Sequence, residues 1–169
     1  MYLPRKATET DAPAVFELRI AAIRHQCAGH YPAETIALWT EGNAPSLDFM
    51  DFVNDSCYVI EIGGAVVASG AVDLSTGQVD AVFVDPRHTH KGVGSAMMRF
   101  LEATAIAAGL QRLNLESTLN AEEFYRASGF TSERPSKYHS PRGFAMDCIV
   151  MTKRIASENS AADSNRKPS

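Results

Sequence analysis

The run from Val82 to Met98 constrains this chain more than any other stretch. Val82-Phe83-Val84 is an apolar strand pattern, and Asp85-Pro86-Arg87-His88-Thr89-His90-Lys91 is a polar, basic turn. Gly92-Val93-Gly94 then sets two glycines one residue apart, and Ser95-Ala96-Met97-Met98 opens a helix. This order brings the unpaired N–H groups of a helix start, with the positive end of its dipole, to the carboxyl end of a strand. Such a junction suits a phosphorylated ligand. Gly92 and Gly94 are expected to let the backbone approach that ligand with no Cβ in the way. Arg87 and Lys91 add full charges, and His88 and His90 add partial ones. By itself the junction also serves to pack a helix tightly on a sheet.

Two phosphate loops are excluded. The nucleotide-hydrolase loop needs Gly-Lys-Ser/Thr after a first glycine, whereas Lys91 precedes Gly92. The dinucleotide fingerprint needs a third glycine three residues after the second, and Met97 stands there.

At 169 residues, 45% of them apolar, the chain has the length and composition of one soluble domain. No run approaches the ~18 apolar residues of a membrane span, and the first residues lack a signal-peptide layout. A cytoplasmic protein with no membrane partner is expected. The net charge of −4 repels nucleic acid over the surface as a whole. Cys27, Cys57 and Cys148 are odd in number and widely spaced, which argues against a disulfide framework or a zinc site. No metal is expected.

Pattern and punctuation predict a short strand over 2–7 and a helix from Ala12 to about His25, with Val15, Leu18, Ala22 and Ile23 on one face. A second short helix over 33–40 carries Ile36 and Trp39, and 47–53 forms a further helical turn. Strands at 57–62 and 65–74 make a hairpin around Gly63-Gly64, and 78–84 adds a third strand. A helix over 92–108 is followed by a strand at 113–116 and a helix to Ser128 that Asn120 caps. Antiparallel strands at 130–138 and 144–153 close the pattern. The polar residues from Ser157 onward predict disorder, so the tail over 155–169 is set apart.

In this order the chain resembles the GCN5-related N-acetyltransferase (GNAT) superfamily. The family's acetyl-CoA motif runs Val-x-Pro, then Arg/Gln-x-x-Gly-x-Gly/Ala. Here it reads Val84-Asp85-Pro86 and Thr89-His90-Lys91-Gly92-Val93-Gly94. A second mark is Asn120-Ala121-Glu122-Glu123-Phe124-Tyr125-Arg126-Ala127-Ser128-Gly129-Phe130, and Met151-Thr152-Lys153 is a third. Thr89 departs from the pattern: it keeps the backbone N–H of the usual Arg or Gln but not the long side chain, for which Arg87 or Lys91 is the substitute.

The resemblance implies a single α/β domain over 2–154. It implies a mixed central β-sheet of about seven strands, about four flanking helices and a splayed acetyl-CoA cleft. It implies acetyl-CoA as co-substrate, held by Val82, Phe83, Val84, Thr89, His90, Lys91, Gly92, Val93, Gly94, Ser95, Asn120 and Tyr125. The pantetheine arm would add to Val82–Val84 like a strand, and a strand N–H would stabilise the oxyanion. The implied activity is direct acetyl transfer to a primary amine of a small molecule or protein. The resemblance implies Tyr125 as the acid for the departing thiolate. Glu116 or Asp80 is the base, with a water relay as the third possibility. His25, Tyr31, Trp39 and Tyr138 are the candidate acceptor-binding residues. A homodimer is among the expected partners. A non-catalytic acyl-CoA sensor on the same fold is the alternative reading.

Overall fold

The computed structural model of the chain describes residues 1–156. The tail expectation from Ser157 onward lies outside them. Ile155 lies within them: it packs on the core, and its N–H donates to the Gln111 carbonyl.

Strand β1 (Arg5–Lys6) lies antiparallel to β2 (Cys57–Ile62), which pairs with β3 (Ala65–Val72) through the Gly63-Gly64 turn; β3 pairs in turn with β4 (Val79–Val84). Helices α1 (Ala12–Gln26), α2 (Ala33–Trp39) and α3 (Leu47–Ser56) come between β1 and β2. Ser46 starts α3 by accepting a hydrogen bond from the Phe49 N–H, which satisfies one of the donors a helix start leaves unpaired. After β4 come a short 3-10 turn at Pro86–His88 and helix α4 (Val93–Ala107). Strand β5 (Arg112–Ser117), helix α5 (Glu122–Ala127), and strands β6 (Thr131–His139) and β7 (Ala145–Arg154) complete the chain.

The α/β domain, its seven strands and its helices, five α-helices among the described residues, match the sequence reading. The strands pair as two antiparallel sheets, β1-β2-β3-β4 and β5-β7-β6. β4 and β5 meet in a single parallel bridge, Gln78 to Asn114. There the Asn114 N–H donates to the Gly77 carbonyl at 3.0 Å, and its side-chain amide donates to the Thr76 carbonyl at 3.0 Å. Gly77 has φ +77°, and a Cβ there would strike the Arg112 carbonyl oxygen, so this pin requires glycine. Beyond it the two strands part.

Helix α4 holds the sheets together from below. Met97 and Leu101 are fully buried against Ile60 and Val67 of the first sheet and Leu113 and Met151 of the second. On the other face, α1 and α3 pack Val15 and Val53 against Cys57, Val59 and Ala71. A third cluster joins Ile23, Cys27, Tyr31, Phe144 and Met146, with Trp39 and Phe83 against it. No helix of the described residues is long and apolar enough to cross a membrane.

Candidate active site

Strand β4 carries one residue too many for its partner. Ser69 pairs with Phe83 and Ala71 with Asp80, so three steps on β4 match two on β3. The excess is a bulge at Ala81, whose φ of +53° is rare for a residue with a Cβ. Buried Ser69 steadies it, its hydroxyl donating to the Ala81 carbonyl at 3.1 Å. The bulge resets the alternation of side chains. Val79 and Val84 pack in the core around α4, Val82 packs there and also borders a cavity, and Asp80 and Phe83, three residues apart, both line that cavity.

That cavity has a volume of about 440 Å³ and opens where β4 and β5 separate. It brings together Asp80 from β4, Glu116 from β5 and Tyr125 from α5, the three candidates for proton transfer. Gln78 Nε2 donates to Asp80 Oδ1 at 3.2 Å. Burial pushes the Asp80 carboxyl above its ordinary value; the Gln78 bond opposes this, while the charges of Asp73 and Glu116 add to it. Glu116 is exposed, and its Oε2 accepts a weak bond from Cys148 Sγ at 3.6 Å. The Tyr125 ring stands edge-on between Phe124 and Phe130, with centroids 5.1 and 5.9 Å away. Its phenol is pushed well above the ordinary value by burial first, then by the charge of Asp80. Such a group holds its proton through neutrality.

Asn120 does not cap α5. The cap position is Ala121, because the helix starts one residue later than its sequence pattern suggests. Instead the Asn120 side chain lies at the cavity wall beside Cys27, and its Oδ1 is buried with no partner among the described residues. An orphaned buried acceptor is costly unless a ligand donor reaches it.

At the start of α4, Gly92 takes φ +80° with open space where a Cβ would project. The first helical bond runs from the Ala96 N–H to the Gly92 carbonyl, so the N–H groups of Val93, Gly94 and Ser95 have no partner within the helix. Gly94 also has a packing purpose. A Cβ there would sit 3.1 Å from the Phe124 ring and 3.4 Å from Val84 Cγ2, so this glycine lets α4 pack against α5 and β4. The basic side chains of the turn are mostly engaged. Arg87 folds back onto Asp85 at 2.8 Å, Lys91 donates to the Arg87 carbonyl at 3.0 Å, and Thr89 donates to the Pro86 carbonyl at 3.1 Å. His88 Nδ1 is buried without a hydrogen bond, 3.9 Å from Asp85, and His90 holds φ +59°.

The acceptor candidates divide. Trp39 and Tyr138 line the cavity. His25 is exposed and not part of the cavity wall. Tyr31 is buried behind the wall, where its hydroxyl donates to the Asp147 carbonyl at 2.6 Å and accepts from the Leu119 N–H at 2.9 Å. It pins the α1–α2 connection to the second sheet. Of the strand residues, Val82 and Phe83 line the cavity, whereas Val84 packs below and its carbonyl accepts from Gln26 Nε2 at 3.3 Å. Sequence reasoning missed Arg19 and Gln26, both at the cavity. Their signal was available: they interrupt the buried stripe of α1 that runs through Val15, Ala22 and Ile23.

Similarity to known proteins accords with this geometry. A family model described as the acetyltransferase (GNAT) family matches residues 21–130. No curated protein matches the chain. Among solved structures, a GCN5-related N-acetyltransferase from Rhodopseudomonas palustris superposes with a TM-score of 0.85 at 21% identity, over 91% of this chain and 96% of that one. The PaiA N-acetyltransferase of Thermoplasma acidophilum, in complex with coenzyme A, gives 0.72 at 16% identity, over 91% and 99%. The ribosomal-protein-S18-alanine N-acetyltransferase of Escherichia coli gives 0.62 at 23% identity, over 94% and 98%. With the family model covering well over half its length, this chain belongs to the GNAT acetyltransferase family and is an acyltransferase.

Proposed function

We propose that this chain moves an acetyl group from acetyl-CoA directly to a primary amine of a small molecule or protein. The observation that carries the reading is one cavity holding a carboxyl and a phenol, Asp80 and Tyr125, both shifted upward, beside the open edge of β4. Features of this chain fit the donor. The α4 start offers unpaired N–H groups beside an unobstructed Gly92, and Asn120 Oδ1 lacks a donor. The PaiA protein's complex with coenzyme A supports the same assignment.

Bound acetyl-CoA supplies the acyl carbonyl and a thiolate leaving group. A typical acceptor amine, with a pKa of ~10, arrives protonated at neutral pH. Asp80 removes that proton, its basicity raised by burial. The open edge of β4 at the Ala81 bulge offers backbone donors to the developing oxyanion. Tyr125 holds the proton for the departing sulfur. Direct transfer is favoured over a covalent enzyme intermediate because no cysteine is poised as a thiolate. Burial pushes Cys27 up to about 11 and Cys57 up to about 12, and it raises Cys148 as well.

The test pairs binding with turnover. Acetyl-CoA at millimolar concentration should raise the melting temperature, as any ligand specific to the native state does. A panel of amines and peptide amino termini should then release free CoA. A protein that melts higher with acetyl-CoA yet releases no CoA with any acceptor would be a sensor rather than a transferase.

A further inference from the structure

We propose that the acceptor carries a carboxylate as well as its amine, and that Arg19 recognises it. This rests on the acetyl-transfer reading above and names the substrate class for the same cavity.

Arg19 projects from the buried stripe of α1 into the cavity wall. Its Nη2 donates to the Trp39 carbonyl at 2.7 Å, which fixes where the guanidinium points. No ion pair with a carboxylate of the described residues reaches Arg19. Burial and the neighbouring charge of Arg142 push it down to about 10, and nearby Tyr138 partly restores it. Arg142 is itself anchored to the Leu38 and Glu41 carbonyls at the end of α2.

Two cations held together, one of them largely withdrawn from water, form a costly arrangement without an anion. An anionic ligand relieves it. The planar fork of a guanidinium matches a carboxylate in two parallel hydrogen bonds, and Tyr138 lines the same cavity.

The cavity is also polarised. Its cationic side chain, Arg19, comes from α1 and its buried carboxyl, Asp80, from β4, with Ile23, Trp39, Phe49 and Met146 among the apolar walls. An amine drawn to Asp80 and a carboxylate drawn to Arg19, joined by an apolar body, describe an acceptor of the amino-acid type.

The experiment uses the full chain, acetyl-CoA and matched acceptor pairs: L-phenylalanine with 2-phenylethylamine, L-tryptophan with tryptamine, L-leucine with 3-methylbutylamine. The acid-bearing member of at least one pair should show kcat/KM tenfold or more above its decarboxylated partner. R19M should raise KM for that acid by ~10- to 100-fold, the scale of a lost charge-assisted contact, with kcat little changed. The plain amine should lose nothing, and R19K should recover part of the loss. Amines preferred in every pair, or equal losses for both members in R19M, overturn the proposal and leave the transferase reading intact.

Binding is read without turnover because Trp39 is the chain's single tryptophan. Its fluorescence in CoA-loaded protein should respond to 3-phenylpropanoate at lower concentration than to 3-phenylpropanamide. Both R19M and the exposed-site variant R142Q should reduce that preference, the second keeping the test alive should the first misfold. Equal response to both probes overturns the proposal. A preference for the anion with no acceptor turned over upholds it as a binding site and discards the transferase reading.

Discussion

Burial pushes Asp80 and Tyr125 in the same direction, and the consequences differ because one group acts as a base and the other as an acid. Tyr125→Phe keeps the ring between Phe124 and Phe130 but removes the proton. It should lower kcat by ~10²-fold with acetyl-CoA affinity unchanged, and the high-pH limb of the rate profile should disappear. Full kcat with an unaltered profile would make Tyr125 only a wall of the cavity. Asp80→Asn should cut kcat/KM by a similar factor and erase the low-pH limb, which in the native protein lies above the ordinary carboxylate range of ~3.9. The same substitution should raise the melting temperature at pH 7. A raised carboxyl is destabilising once the unfolded chain has ionised, and a neutral amide removes that penalty; below the unfolded value the gain vanishes. Motif and strand position in the sequence single out Tyr125, Asp80 and Glu116, which the structure brings to one cavity. Arg19 was passed over although a charge inside an apolar helical stripe was visible. Tyr31 and His25 could not be ranked without tertiary contacts, since helical spacing does not say which neighbour a ring will meet.

Among the elements, α4 illustrates two glycines of unlike purpose. Gly94→Ala should destabilise the fold by about 1–3 kcal/mol, the range of an overpacked contact, because its Cβ meets Phe124 at 3.1 Å. Acetyl-CoA should still raise the melting temperature by the native increment. Gly92→Val should weaken acetyl-CoA binding, its side chain entering the open space at the helix start, and should also lower the melting temperature because φ +80° strains a β-branched residue. Thermal melts with and without acetyl-CoA separate the two effects. The strand–turn–helix order around these glycines was readable because each element carries its own period. The division into two sheets was not, since a strand's pattern says which face is buried and not which strand lies beside it. The Ala81 bulge was equally hidden: Val79-Asp80-Ala81-Val82-Phe83-Val84 reads as one strand, and only the pairing with β3 reveals the surplus residue.

Across the whole molecule, the core around α4 reaches both sheets, and the Tyr31 cluster ties α1 and α2 to the second sheet, so the cavity is framed by two bodies held at several points. The net charge of −4 leaves attraction for an anion to local groups, the α4 start and Arg19. The bridge at Gln78 and Asn114 gives this frame the mechanics of a lever. Val84 is six residues from Gln78, or ~20 Å along the strand, so a change of about 3° at the pivot displaces the far end by about 1 Å. Misplacement on that scale is worth ~10²-fold in rate. Gly77→Ala, which forces the Arg112 carbonyl to move and holds Ala at φ +77°, should therefore reduce kcat/KM by that order, with a stability cost of about 2–5 kcal/mol from the strained backbone and the clash together. Kinetics compared with denaturant melts would read both. The residue that sets the aim of the reacting groups is then one that touches none of them.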